Sequence, residues 1–233
     1  MARQVKTKGI IISRVDFGEA DRILTWLTLD NGKIKTIAKA VRKSTSKLAG
    51  GVELFSVSEI CYVLGKGDIN TLTSSRLIKH FGNIVKDLER TQMAYELIRI
   101  LNKATEDNTE PAYFDLLELA LQALDDFAIS PGITKLWFDM RLLRLAGHMP
   151  NLETDASGKK LSVDRKYYFE IEHMRFRTSP ERQGDFGADH IKFLRLGFSS
   201  ASPNVIQRVS AAPQLTVPVQ PLVGAMLASF VRL

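Results

Sequence analysis

Between residues 32 and 51 the chain reads GKIKTIAKAVRKSTSKLAGG, which holds six cations and no acid: Lys33, Lys35, Lys39, Arg42, Lys43 and Lys47. Ammonium and guanidinium groups at that density suit a backbone polyanion, because each neutralised phosphate releases counterions whatever base it carries. An isolated basic run is more often a solvated loop. The setting distinguishes this one. Asn31-Gly32 is a strong hairpin turn, so the run begins on a strand and continues into the loop that leaves it. A further cation, Lys66, sits in the glycine turn Gly65-Lys66-Gly67-Asp68.

Other chemistries find no support in the spacing. The Gly-Lys pairs at Gly32, Gly65 and Gly158 lack the upstream glycine and the following Ser/Thr of a nucleotide-binding P-loop. His80, His148, His173 and His190 are scattered, without the short His/Cys/carboxylate spacing of a metal site. There is no Gly-x-Ser-x-Gly elbow, and Cys61, inside a strand, reads as a small buried hydrophobe rather than a thiolate. The acid pairs Glu106-Asp107 and Asp125-Asp126 read as solvated loop or helix-end groups. The expectation is a protein that is not an enzyme, with no metal and no cofactor.

Five strands must present the basic run. Residues 6–15 carry an isoleucine triplet that fits a strand buried on both faces. Residues 22–29 form a second, expected to turn Ile23, Thr25, Leu27 and Leu29 inward. Residues 33–38 form a third, with Ile34 and Ile37 inward and Lys33 and Lys35 on the opposite face. Residues 54–64 and 70–78 complete the set. Short strands in series with glycine turns predict a small closed barrel, with the OB fold as candidate. From residue 81 the period changes from two to about 3.6. A first helix, ending near residue 104, is expected to bury Ile84, Leu88, Tyr95, Ile98 and Leu101 and to expose Lys86, Arg90 and Arg99. A second spans about 112–127 after Pro111, and a third runs from about 133 to 147. Helices of similar length predict a bundle. Residues 153–160 are turn-rich and precede a hairpin-like pair at 161–169 and 171–178, then a flexible stretch around Gly184 and Gly187. Helical signals resume at 189–196 and from 217 onward, with Pro218 and Pro221 marking an early turn. Residues 199–213 have no clear assignment.

The 233 residues carry 32 Lys plus Arg against 26 Asp plus Glu, a net charge of +6. Up to Lys79 there are 14 cations against 7 acids, so the excess sits in the first third. One cysteine excludes an internal disulfide and argues for a reducing cytosol. No charged-then-apolar leader opens the chain, and its longest apolar run, residues 222–231, is too short to span a bilayer. The expectation is a cytoplasmic protein with no membrane partner.

Three stretches, GIIISRVDFGEADRILTWLT, AKAVRKSTSKLAGGVELFSVSEICYVLGKGDINTLTSSRLIKHF and WFDMRLLRLAGHMPNL, together resemble the bacterial RecO recombination mediators from Gly9 to about Leu152. The resemblance implies an α+β protein. Its OB-fold barrel occupies residues 1–80. A helical domain follows at 81–233, with a small zinc-finger-like insert at about 151–188. Many members of the family place Cys-x-x-Cys-Gly in that insert, but here Thr154, Ser157 and Gly158 stand at the corresponding positions, so the cysteine ligands are missing. The hairpin signal favours an insert that folds without zinc. The chain also stops within its last helical signal, which puts any tail function of the family in doubt.

The resemblance further implies a non-catalytic, nucleoid-associated protein of recombinational DNA repair. It would bind single- and double-stranded DNA, anneal strands coated by the single-stranded DNA-binding protein, and work with RecR to help load RecA. The DNA contacts would be Lys33, Lys35, Lys39, Arg42, Lys43, Lys47 and Lys66, with Trp26 either a candidate base-stacking platform or a side chain half-buried in the barrel wall or against the helices. Lys135, Arg141 and Arg144 on the third helix are candidates to receive the acidic tail of the single-stranded DNA-binding protein. Two other classes fit the residues alone: an OB barrel that binds RNA in translation or ribosome maturation, and a protein-interaction scaffold whose cations are incidental.

Overall fold

The computed structural model describes residues 4–180 and 184–231. They divide into two compact units, Met1–Asp126 and Phe127–Leu233. In the first, five strands close a barrel: β1 (Gln4–Phe17), β2 (Asp21–Thr28), β3 (Gly32–Ala38), β4 (Ser56–Val63) and β5 (Ile69–His80), in the order β1-β2-β3-β5-β4. β3 and β5 run parallel and the other pairs antiparallel. That is the OB arrangement, in which the outer face of β2–β3 and the β1–β2 and β4–β5 loops form the usual ligand surface.

The Asn31-Gly32 hairpin forms as its residues predict. Gly32 takes φ +61, and a Cβ there would lie 2.1 Å from the Asp107 carbonyl oxygen, so only glycine fits. The Ile10–Ile12 triplet is buried throughout, helped by a register shift between Ile11 and Ser13. The facing of β2 is the reverse of the expected one. Leu24 and Trp26 join Ile11, Ala38, Ile60, Tyr62 and Leu72 in the barrel interior, whereas Ile23 and Thr25 alternate to the outside. Leu27 is buried as well, on the outer side. It pairs with Ile10 where α1 (Leu88–Ala104) and α2 (Pro111–Asp125) pack on β1 and β2. Ile34 packs against the interior, but Ile37 does not.

Two expectations for α1 fail. Leu88 and Tyr95 are exposed, and Arg90 is buried, donating from Nη1 to the Leu124 and Asp126 carbonyl oxygens at 2.8 and 3.0 Å. The guanidinium satisfies carbonyls at the C-terminus of α2, which have no intrahelical partner. In the second unit, α3 (Pro131–Leu145) packs with α4 (Ala188–Ser199), α5 (Pro203–Gln207) and α6 (Ala212–Phe230). Pro218 and Pro221 lie inside α6 rather than before it, and α5 occupies part of the unassigned stretch. Between α3 and α4 a three-stranded sheet, β6 (Asn151–Asp155), β7 (Tyr168–Glu170) and β8 (Arg175–Arg177), has the order β6-β8-β7. Among the described residues no helix is long and apolar enough to cross a membrane.

Candidate nucleic-acid interface

The basic loop between β3 and β4 is ordered because its apolar residues plug the barrel. Val41 and Val52 belong to the interior cluster, and Leu48 and Leu54 pack against it. Backbone bonds tie the loop to its neighbours. Ala40 N–H donates to the Asp21 carboxylate at 2.7 Å, and Arg42 N–H donates to the Ala20 carbonyl at 3.0 Å. At its far limb the Ser75 hydroxyl donates to the Leu48 carbonyl at 2.9 Å. Lys39, Arg42, Lys43 and Lys47 are consequently exposed on a fixed surface rather than a free tether.

The cations fall into separate places. Lys39, Arg42 and Lys43 lie against the β1–β2 turn, where Asp16 accepts from Arg22 Nε at 2.8 Å and meets Arg42 at 3.6 Å. The Arg22 hydrogen bond, then the charges of Arg42, Arg22 and Arg14, hold the Asp16 carboxyl below the usual carboxylate range. Lys35 pairs in register with Ile69, close to the turn that carries exposed Lys66. Lys47 is on the limb against β5. Lys33 is withdrawn: its Nζ donates to the Asn102 carbonyl at 2.7 Å and to Asn102 Oδ1 at 3.1 Å, and burial lowers its pKa. It fastens β3 to the end of α1.

An apolar face missing from the sequence expectations lies between the two cation groups. Val15 pairs with Ile23, and Ile23 with Ile37, giving one outward row across β1, β2 and β3. Val15 is 60% exposed, Phe17 53% and Ile69 41%. The signal was present in DRILTWLT, which is apolar on both faces, and in an aromatic at the head of a turn. Trp26, by contrast, is 1% exposed, with Nε1 donating to Thr36 Oγ1 at 2.9 Å and Gly9 leaving room for its ring. So enclosed an indole offers no face to a base. The surface can therefore accept bases on aliphatic groups and Phe17, and phosphates at Lys39, Arg42, Lys35 and Lys66.

In the second unit Lys135 is paired with Asp139 one turn along α3, and little of it reaches solvent. Arg141 is half-buried, and burial followed by its neighbour Arg144 lowers its pKa. Arg144 donates to the Phe198 carbonyl at 3.0 Å. With Arg195, whose guanidinium bonds the Leu152 carbonyl, it flanks a hollow of about 220 Å³ lined by Met149, Leu152 and Phe198.

The insert offers poor metal chemistry. Thr154, Ser157 and Gly158 provide no thiolate or imidazole. The nearby Asp155 Oδ1 already accepts from Ser157 N–H, Ser157 Oγ and Lys159 N–H, and the Ser157 hydroxyl leads the causes that lower its pKa. Among the described residues no three His, Cys, Asp or Glu side chains converge as a metal set. The core of the insert is aromatic, with Phe176 fully buried against Tyr167, Phe169 and Phe186 at centroid distances of 6.1, 5.0 and 6.0 Å.

Comparison with known proteins agrees with this geometry. Residues 1–81 match the family described as Recombination protein O N terminal, and residues 85–185 match Recombination protein O C terminal. A protein of Dehalococcoides mccartyi named DNA repair protein RecO is 40% identical over 165 residues, 70% of this chain and 64% of that protein. Proteins of the same name from Acetivibrio thermocellus and Desulfatibacillum aliphaticivorans are 38% and 34% identical over 149 and 152 residues. These cover 63% and 64% of this chain, and 58% and 59% of those proteins. The aligned part thus spans under two thirds of the relatives' own length. With an OB barrel in the region of the first match and the α3-to-insert sequence within the second, the chain belongs to the RecO family.

Proposed function

We propose that this chain is a non-catalytic DNA-binding protein of recombinational DNA repair. It holds single-stranded DNA across the outer face of β1–β3, anneals complementary strands and assists RecA loading with RecR. The observation that carries the reading is the apolar row Val15–Ile23–Ile37, with Phe17 beside it, bracketed by Lys39, Arg42 and Lys43 at one end and Lys35 and Lys66 at the other. A platform built from small aliphatic groups grips bases less firmly than stacked aromatics, which suits a protein that must release bases to pair. Double-stranded DNA is held through the same cations by its phosphates alone. The acidic, apolar tail of the single-stranded DNA-binding protein docks at Arg144 and Arg141, with the Met149–Phe198 hollow taking its apolar end. Lys135, already paired, takes no part.

The test is annealing of complementary oligonucleotides coated with the cognate single-stranded DNA-binding protein, using the wild type and K39E/R42E/K43E across a salt series. Contact with ~4 to 6 phosphates of a single strand gives a log–log salt slope near −3 to −4. The wild type should anneal with that slope and the folded triple variant should not. A wild type that neither anneals nor binds more tightly at low salt ends the reading, and preference for structured RNA over single-stranded DNA replaces it with an RNA-binding one.

A further inference from the structure

The insert has a second face with the same chemistry. In its β7–β8 ladder Phe169 pairs with Phe176, and both turn into the aromatic core. Alternation then forces the flanking pairs, Tyr168 with Arg177 and Glu170 with Arg175, to the solvent side. Lys166, two residues before Tyr168, is exposed. The guanidiniums do not wander. Arg175 Nε donates to Glu170 Oε2 at 2.8 Å, while Arg177 lies 3.5 Å from Oε1 of the same carboxylate and over the Tyr168 ring at 6.0 Å. The hydrogen bond from Arg175 leads the causes that hold Glu170 below the ordinary carboxylate range. One carboxylate thus orients two guanidiniums, each keeping N–H groups for another acceptor. Both arginines line a hollow of about 330 Å³ with Ser157, Thr178 and Asp155, whose Oδ1 is engaged by Ser157 and Lys159.

We infer that this face is a second nucleic-acid contact. A backbone phosphate sits between Arg175 and Arg177, and a base lies on Tyr168 beside the Arg177 guanidinium. Nucleic acid is favoured over an acidic protein because an aromatic ring, an adjacent guanidinium and a flanking lysine share one sheet face, the combination that accepts both a base and its phosphate. The inference rests on the DNA-binding reading above and extends it. A chain with one contact on the barrel and another on the insert holds two strands at once, as annealing requires.

The experiment uses the full chain with two non-complementary oligothymidylates, one biotinylated and one fluorescent, and measures recovery of the fluorescent strand on streptavidin. The test variant is E170Q/R175Q/R177Q, which removes the carboxylate together with the two guanidiniums it orients, so that none of the three is left unpaired, and keeps His173, 3.4 Å from that carboxylate. Y168S is a second variant that leaves the charges untouched, and thermal melting confirms that each is folded. The triple variant should still bind one strand through the barrel, but with one phosphate contact fewer where both sites are filled. Its salt slope for the doubly bound state becomes shallower by about 0.7, and recovery of the second strand falls at least fivefold. Y168S should lose part of that recovery. Recovery equal to wild type in the triple variant overturns the inference and leaves the barrel reading intact. If that variant keeps recovery but no longer retains poly-glutamate, the face belongs to an acidic protein and the inference again falls. A wild type that binds neither strand sinks both readings.

Discussion

Two aromatic residues nine positions apart stand in opposite environments. Trp26 is enclosed, its indole N–H satisfied by Thr36, whereas Phe17 stands more than half exposed at the turn into β2. Thr36→Val should leave that buried N–H without a partner and lower stability by ~1–3 kcal/mol. Trp26→Ala should lower it by ~3–5 kcal/mol through the cavity it opens. Phe17→Ala should leave the melting temperature within a degree or two and weaken oligothymidylate binding, because stacking on one aromatic is worth ~1–3 kcal/mol per base. Denaturant melts and fluorescence titrations on the same three variants check this division. Unchanged DNA affinity in Phe17→Ala would remove the outer face from the proposal. Lys33 teaches the same distinction among cations. It reads as equal to Lys35 in sequence, yet its ammonium is occupied by Asn102, a residue 69 positions away that no local pattern connects to it.

The elements themselves were largely legible, since glycine turns and a change of period are local signals. The hairpin at Gly32, the five strands and helices α1 to α3 lie close to where their residues predict. What the sequence could not convey was which side of a doubly apolar strand faces inward. β2 has apolar residues on both faces because its lower half is sandwiched between barrel interior and helices, while its upper half displays Ile23 to solvent. Arg90 was misread for a related reason: a charged residue at a helix start looks solvent-facing until another helix ends beside it. The insert is the clearest element-level case. Its hairpin was visible only in part, since the strands expected at 161–169 and 171–178 shrink to β7 and β8 with a 3-10 turn, Ile171–His173, between them. Its missing thiolates were visible, but not that Phe176 would gather Tyr167, Phe169 and Phe186 around it. If that cluster holds the insert, Phe176→Ala should cost ~3–5 kcal/mol, and a strong chelator should leave the wild-type melting curve and near-ultraviolet circular dichroism unchanged. A chelator-dependent transition in the wild type would show that a metal contributes after all.

On the scale of the molecule, charge is sorted more sharply than the net value of +6 conveys. Residues 81–126, which include α1 and α2, carry 10 acids against 4 cations, whereas the barrel sequence before them carries the opposite excess. Both belong to one compact unit, with α1 and α2 packed on one side of β1 and β2. A polyanion approaching that unit is therefore repelled from the helices and drawn toward the loops, and such a field raises association rates while its reach is set by the Debye length. Exposed Glu89 and Asp115 are suitable probes, being far in sequence from every proposed contact and outside the described hydrogen bonds. E89Q/D115Q should bind a short single strand a few-fold faster and tighter than wild type at ~50 mM salt, and the two should converge as salt approaches ~200 mM, where the Debye length falls below about 8 Å. The gain should not extend to annealing. Strands attracted indiscriminately spend less time on the face where bases can meet, so annealing per bound strand should stay level or fall. Stopped-flow fluorescence separates the two quantities. Equal association rates for the variant and the wild type at low salt would mean that the acidic helices do not steer, and that the cations of the barrel act only once DNA has arrived.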